Sequence, residues 1–284
     1  MSVKAKYECV GFPGPKTYYV DGPELSPNVH AGHSENGGAV RIRVTRSRKP
    51  RQDAAADVWS AFSADDRRDD LVSPCLAQAH YEEDGIYTFV YVDPHYPQSL
   101  REVWPKMSEH EKGRAISSLV DILRYVHEHD VAIGVFSSRT LSVLDGRVIL
   151  TDLGNAARLG MPDAWIEDPP FFTHTGHPDL AVMSMREHAS QFPTAASDMQ
   201  TLVFNLALWT TGTLPWIGDS DERGVYNKKR AILSSVTGVD RLFSAYKGSP
   251  STLAALKRYA STVLSSHDMM CARYPASNGV SLFI

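Results

Sequence analysis

Residues 125–154 read YVHEHDVAIGVFSSRTLSVLDGRVILTDLG, and this stretch decides how the chain is interpreted. Its first residues end a helix, and an apolar strand and a loop follow. Asp145-Gly146 then separates the strand-like runs Thr140–Val143 and Val148–Thr151, a setting that predicts a two-residue β-hairpin. The stretch closes on Asp152–Gly154. The predicted order is therefore helix end, strand, loop, hairpin and an acidic turn.

The chain separates into a strand-rich first part, to about residue 93, and a mostly helical second part. Strand composition marks Ala39–Val44 and Gly85–Val92. In the second part, Ser108-Glu-His-Glu111 is a capping box ahead of apolar residues spaced three and four apart. Further expected elements are a turn at Glu82–Gly85, a short helix over Asp53–Phe62, an apolar helix over Ser197–Thr210 and an amphipathic helix over Ser251–Leu264.

Composition indicates a globular protein and excludes several partners. Of 284 residues, 43% are hydrophobic and 22% are charged, and the formal net charge is −4. This balance gives no electrostatic basis for binding nucleic acid or an anionic membrane. No stretch reaches the ~20 apolar residues of a membrane helix, and the three cysteines lack disulfide or zinc spacing. We therefore expect a soluble intracellular protein of the cytoplasm or nucleus.

A second informative stretch runs from Ser184 to Trp216. It contains Ser184-Met-Arg-Glu-His188, then Asp198 before an apolar run, then Gly212-Thr-Leu-Pro-Trp216. These motifs keep, without a gap, the spacing of S-I-x-x-H, S-R-R-D-D-L-E-S-L and G-x-L-P-W. The chain thus resembles the casein kinase 1 and vaccinia-related kinase group of the protein kinase superfamily. The resemblance implies structural roles for Asp198 and Trp216, with the Asp198 carboxylate accepting from backbone amides of the catalytic loop.

The 125–154 stretch resembles the kinase segment that runs from H-R-D-x-K-x-x-N to D-F-G. Asp152 keeps the position of the metal-binding aspartate. The catalytic positions are filled by other residues: Ile133, Gly134 and Val135 replace His, Arg and Asp, Ser137 replaces Lys, and Thr140 replaces Asn. Because Val135 cannot accept a proton, the resemblance implies a degenerate catalytic loop with no catalytic residue.

The first part carries a looser resemblance to a nucleotide site. Gly22–Val29 best fits the glycine-rich loop, where Glu24 and Pro27 replace two glycines; a plain turn is the alternative. Arg43 stands at the position of the phosphate-pairing lysine or is an exposed strand residue. The vestigial site implied by the resemblance comprises Gly22, Arg43, Phe89, Val90, Val92 and Asp152, with Val90–Val92 offering hinge backbone groups. Asp152 is the candidate magnesium ligand, or simply part of a turn.

The sequence therefore predicts an α+β, two-lobed kinase-like fold over residues 1–284, with a small β-rich lobe at 1–93 and a helical lobe at 94–284. We expect a pseudokinase, a scaffold or regulator that binds a protein partner such as an active kinase, with weak or absent binding of ATP and magnesium. Two alternatives stay open. One is a divergent Ser/Thr kinase that uses Asp152, and the other is an ATP-binding switch without phosphate transfer.

Overall fold

The computed structural model describes residues 5–11, 14–26, 29–47, 58, 61–62, 68–134, 136–138, 140–153, 156–159, 181–188, 193–219 and 221–264. The chain divides into two compact units, a first unit over Met1–Pro97 and a second unit over Gln98–Ile284. The first unit is rich in β-strands and the second is mainly helical, so the α+β class is confirmed. No helix in the described part of the chain combines the length and hydropathy that a membrane crossing requires.

The first unit is a closed antiparallel barrel with the strand order β1-β2-β3-β4-β6-β5. Its strands are β1 (Ala5–Gly11), β2 (Gly14–Ser26), β3 (Val29–Ser34), β4 (Ala39–Ser47), β5 (Ala77–Glu83) and β6 (Ile86–Pro94). Closure comes from β1, which pairs with β2 along its length and with β5 at Val10↔Gln78 and Gly11↔Ala77. A closed barrel leaves no unpaired strand edge within the described sheet.

Alternation along the strands fills the barrel interior. On β4, Val40 and Ile42 are buried, whereas the arginines between and after them are only partly buried. The interior core also contains residues from the other strands: Cys9, Tyr18, Val20, Ala77, Val90 and Val92. The strands predicted at Ala39–Val44 and Gly85–Val92 are confirmed as β4 and β6. Sequence periodicity did not identify the strands before residue 35.

The second unit is built around helices. Its helices are α1 (Leu100–Val103), α2 (Glu109–Glu128), α3 (Met185–His188), α4 (Ala195–Thr211), α5 (Glu222–Leu233), α6 (Gly238–Leu242) and α7 (Pro250–Leu264), with a 3-10 turn at Trp104–Lys106. Short strands are β7 (Val131–Ala132), β8 (Leu141–Leu144), β9 (Arg147–Leu150) and β10 (Ala157–Arg158). Pairing joins β7 to β10 and β8 to β9. The long helices predicted in this part are confirmed with ends shifted by one or two residues.

Local sequence signals set several of these boundaries. The Ser108 amide donates to Glu111 Oε2 at 2.7 Å and the Glu111 amide donates to Ser108 Oγ at 3.3 Å, which confirms the capping box of α2. Both predicted Asp-Gly hairpins are also confirmed. Asp84-Gly85 has φ of 53° and 71°, and Asp145-Gly146 has φ of 50° and 75°, the left-handed pair of a type I′ turn. The helix predicted over Asp53–Phe62 lies almost wholly outside the described residues.

Candidate functional site

The loop between β7 and β8 is the candidate site, because it carries the positions where kinase catalytic residues would stand. Ile133 is buried, with 1% of its surface exposed. Gly134 has φ of 78°, a left-handed conformation that favours glycine over the arginine of the kinase pattern. Val135 lies outside the described residues. The loop is therefore shaped by backbone requirements at positions where kinases place reactive side chains.

Asp198, in the first turn of α4, holds the start of this loop. Its carboxylate accepts from the Ile133 amide at 2.7 Å and from the Gly134 amide at 2.9 Å. His127 Nε2, at the end of α2, lies 2.8 Å from the same carboxylate. The two amides are the kind of donor that the kinase resemblance implied. No pattern in the sequence predicts the His127 contact.

Burial makes this arrangement energetically important. Asp198 is fully buried, and His127 has a side chain only 5% exposed. A buried carboxylate is costly unless it accepts hydrogen bonds or faces positive charge. The loop amides donate hydrogen bonds to Asp198, and the positive end of the α4 dipole supplies favourable charge. The carboxylate thus joins α2, the loop and α4 and has no solvent contact through which it could act on a substrate.

Thr140 stabilises the loop through hydrogen bonds to other residues of the loop. Its hydroxyl donates to the Ser137 carbonyl at 2.9 Å and accepts from the Ser137 amide at 3.1 Å. The Thr140 carbonyl in turn accepts from the Thr151 amide at 2.8 Å. A hydroxyl has one proton and two lone pairs, so most of its hydrogen-bonding capacity is already used within the loop. This chemistry does not fit a second metal ligand at position 140.

A third anchor comes from Asn205 in the middle of α4. Its side-chain amide donates to the Phe136 carbonyl at 2.6 Å and to the Thr201 carbonyl at 2.9 Å. Asn205 is buried with 1% exposure. Sequence analysis did not select it, although an asparagine inside an otherwise apolar helix was the available signal. Buried polar groups in such helices require a partner, and here the partner is the loop.

Asp152 follows Thr151 just beyond β9 and is half-buried. It is the one carboxylate that the kinase resemblance assigns to a magnesium ion. Within the described residues, no group of three or more His, Cys, Asp or Glu side chains is placed to hold a metal. Any ion at Asp152 would therefore need ligands from outside this donor set, such as phosphate oxygens and water.

In the first unit, Gly22 belongs to β2, and Glu24 pairs with His30 of β3. A Cβ added to Gly22 would lie 2.4 Å from the Cβ of Ala31. Glycine is therefore required here by close approach of two strands, a reason that involves no phosphate. Within the Gly22–Val29 segment, Gly22–Ser26 belongs to β2 and Val29 begins β3, while residues 27–28 lie outside the described residues; a nucleotide role for the segment stays a prediction.

Arg43 lies on β4 opposite Tyr91 and is half-buried, on the face away from the barrel core. Two residues earlier, Arg41 pairs with Asp93 at 3.2 Å, with both side chains less than 15% exposed. The two arginines thus share one strand face.

Phe89, Val90 and Val92 are buried in β6, with exposures of 5%, 0% and 0%. This strand pairs with β4 on one side and with β5 on the other, for example Val90 with Val44 and with Ala79. Backbone groups in such a central strand are taken up by the two ladders. The structure therefore places these residues inside the sheet, not in a connector with free backbone groups.

Trp216 lies beneath the segment that contains α3. Its indole Nε1 donates to the Ala181 carbonyl at 2.7 Å, and its ring meets Phe204 edge-on at 5.1 Å. Lys229 of α5 is fully buried beside both rings and donates to the Met183 carbonyl at 2.8 Å. Lys229 was not selected from the sequence. Together these hydrogen bonds and ring contacts hold residues 181–183 against α4 and α5.

Comparison with known proteins gives an informative similarity. No protein-family model matches the chain. A stretch of 127 residues, 43% of this chain, is 28% identical to the serine/threonine-protein kinase VRK1 of Caenorhabditis elegans. The similarity supports a relation to the protein kinase superfamily. It covers 20% of the length of that kinase, so the chain spans only a small part of the relative that it matches.

Proposed function

We propose that this chain is a kinase-like protein that does not transfer phosphate and acts through protein contacts, as a scaffold or as a regulator of an active kinase. The observation that carries the proposal is the loop at 133–140. In the described part of this loop, hydrogen bonds join it to its own backbone, to Asp198 and to Asn205, and its sequence offers Ile133, Gly134 and Val135 where a base would stand.

Phosphoryl transfer depends on positioning and on electrostatic stabilisation of the transferring group. A base must accept the substrate hydroxyl proton, and cations must neutralise the developing charge. Here an aliphatic residue occupies the base position, Ser137 occupies the lysine position, and the Thr140 hydroxyl is bonded to Ser137. Four such changes, counting the altered phosphate loop around Glu24, remove most of the machinery at once.

The proposal includes the two-lobed kinase fold, with the first unit as the small lobe and the second as the large lobe of a single domain. The kinase similarity and the order of β-rich and helical units support it. The sheet of the first unit is a closed barrel that includes β1. We further propose an intracellular protein with a protein partner, no nucleic acid or membrane partner, and weak or absent binding of ATP and magnesium.

A thermal-shift titration with ATP, with and without magnesium or manganese, tests nucleotide binding. A ligand that binds only the folded state must raise its apparent stability, by roughly 2.7 kcal/mol at a hundred times its Kd. We expect no metal-dependent shift at millimolar ATP. A large magnesium-dependent shift without phosphate transfer would instead establish the ATP-binding switch.

Transfer itself is tested with labelled ATP and generic protein substrates. We expect no incorporation, and none after Val135→Asp, because the lysine and asparagine positions remain changed. The second candidate function, a divergent Ser/Thr kinase, is favoured by the half-buried Asp152 in its kinase-like position. Robust incorporation that is lost in Asp152→Asn would establish that kinase and refute the pseudokinase.

A further inference from the structure

The second unit has a surface pocket whose lining contains no residue of the 133–140 loop. It lies between the turn after α4 and the end of α6 and has a volume of about 270 Å³. Its lining includes the buried Leu214 and Leu242, and exposed Pro215 and Ala245 contribute to its rim. Pockets for drug-sized ligands have volumes of roughly 300–1,000 Å³. At about 270 Å³ this pocket lies near the lower end of that range, a size that one or two side chains of a peptide can fill.

Arg241 gives the pocket its chemistry. Its guanidinium lines the pocket and is exposed. Among the residues that the structure describes, no carboxylate or hydrogen-bond acceptor is paired with this guanidinium. The neighbouring Asp240 does not compensate it, because its carboxylate pairs with Lys257 at 2.7 Å. The guanidinium offers a fork of N–H donors beside a small depression that contains both apolar residues and the hydroxyls of Thr213 and Ser244. This arrangement is complementary to a carboxylate or phosphate next to an aliphatic side chain.

The surroundings extend the apolar part of the surface. Ile217, two residues after Pro215, has 48% of its surface exposed. Exposed apolar residues beside an arginine are typical of protein contact surfaces, where aromatic residues, methionine and arginine are enriched. The turn that bears Pro215 is fixed from below, because Trp216 is buried and bonded to the Ala181 carbonyl. The pocket is thus preformed on a rigid base, which lowers the entropic cost of binding.

We propose that this pocket, lined by Thr213, Leu214, Pro215, Arg241, Leu242, Ser244 and Ala245, is a docking site for an acidic peptide segment of a partner protein. An aliphatic side chain of the peptide enters the depression, and an adjacent carboxylate or phosphate binds the Arg241 guanidinium. The site is independent of the 133–140 loop, so it holds whether or not the protein transfers phosphate. It supplies the partner class that a scaffold would need.

Binding is tested by fluorescence polarisation with three labelled probe peptides. The first has one aspartate between two leucines, the second has phosphoserine in place of the aspartate, and the third has asparagine there. We expect weak binding of the two anionic peptides, with Kd on the order of 0.1–1 mM at low salt, weakening as salt rises. The asparagine peptide should bind at least about fivefold more weakly. Equal binding of the asparagine peptide would overturn the role of Arg241.

Variants of the full chain locate the site. Arg241→Glu should reduce affinity for the acidic peptides about fivefold or more. Ala245→Leu should do the same by filling the pocket from its exposed rim. Arg230→Glu is the matched control, since it makes the same charge change at an exposed arginine outside the lining. Equal thermal midpoints for all variants exclude unfolding. If Arg230→Glu weakens binding as much as Arg241→Glu, the attraction is a general charge effect and the proposed site is wrong.

Discussion

Replacing Asp198 by alanine should weaken the second unit more than any change at the Asp152 turn. The substitution removes the acceptor of the Ile133 and Gly134 amides, and both residues remain buried. A buried donor left without a partner costs about 1–3 kcal/mol. The two amides therefore cost roughly 2–6 kcal/mol, while loss of a buried charge returns part of its desolvation cost. We expect a net loss of about 3 kcal/mol, a large fraction of a typical ~5–15 kcal/mol stability.

Urea unfolding followed by tryptophan fluorescence measures this loss, because the buried Trp216 packs against Phe204 of the same helix as Asp198. Asp198→Asn is an informative second variant. One amide oxygen can replace part of the carboxylate, but the NH₂ group faces a donor, so the loss should be smaller than for alanine yet clear. Asp152→Ala is the matched control. Asp152 is only half-buried, so its loss should lower the free energy of unfolding by less than the loss of Asp198 does.

An unchanged urea midpoint in Asp198→Ala, together with a lowered midpoint in Asp152→Ala, would contradict this prediction. That outcome would mean that the loop amides find other acceptors and that the 152 turn carries the structural role. A partner pull-down with both variants adds a second readout. Loss of partner binding in Asp152→Ala alone, at unchanged stability, would place a functional contact at Asp152.

Three further outcomes are expected. Lys229→Ala should lower the free energy of unfolding in urea by about 2–4 kcal/mol, because it leaves a cavity beside two aromatic rings and leaves the buried Met183 carbonyl without its donor. An equal loss in Lys229→Met would show that side-chain volume is unimportant here. Gly22→Ala should cost about 1–3 kcal/mol and lower Tm by clashing with Ala31, and Ala31→Gly in the same chain should restore it; a silent Gly22→Ala would refute the close approach. Burial raises the pKa of Cys9 to about 11, which disfavours the thiolate at pH 8. Iodoacetamide should therefore modify native Cys9 more slowly than the half-buried Cys75, by mass spectrometry; equal rates would contradict this.

The amino-acid sequence by itself determined the elements whose hydrogen-bond partners are close in the chain. The Ser108–Glu111 capping box spans three residues, and the Asp84-Gly85 and Asp145-Gly146 turns need only their own backbone conformation. Sequence also determined the chemical content of the loop, because a valine at position 135 offers no base in any conformation. These conclusions required no knowledge of packing.

Tertiary structure alone decided which distant groups meet. The Asn205 side chain reaches Phe136 across 69 residues, and Lys229 reaches Met183 across 46. Neither contact follows from periodicity, because the cost of burying a polar group depends on a partner that only the folded chain supplies. Barrel closure by β1 and β5 is decided in the same way, by the register of strands far apart in sequence. The 133–140 loop is therefore chemically specified by its own residues and physically held by residues that only the fold brings to it.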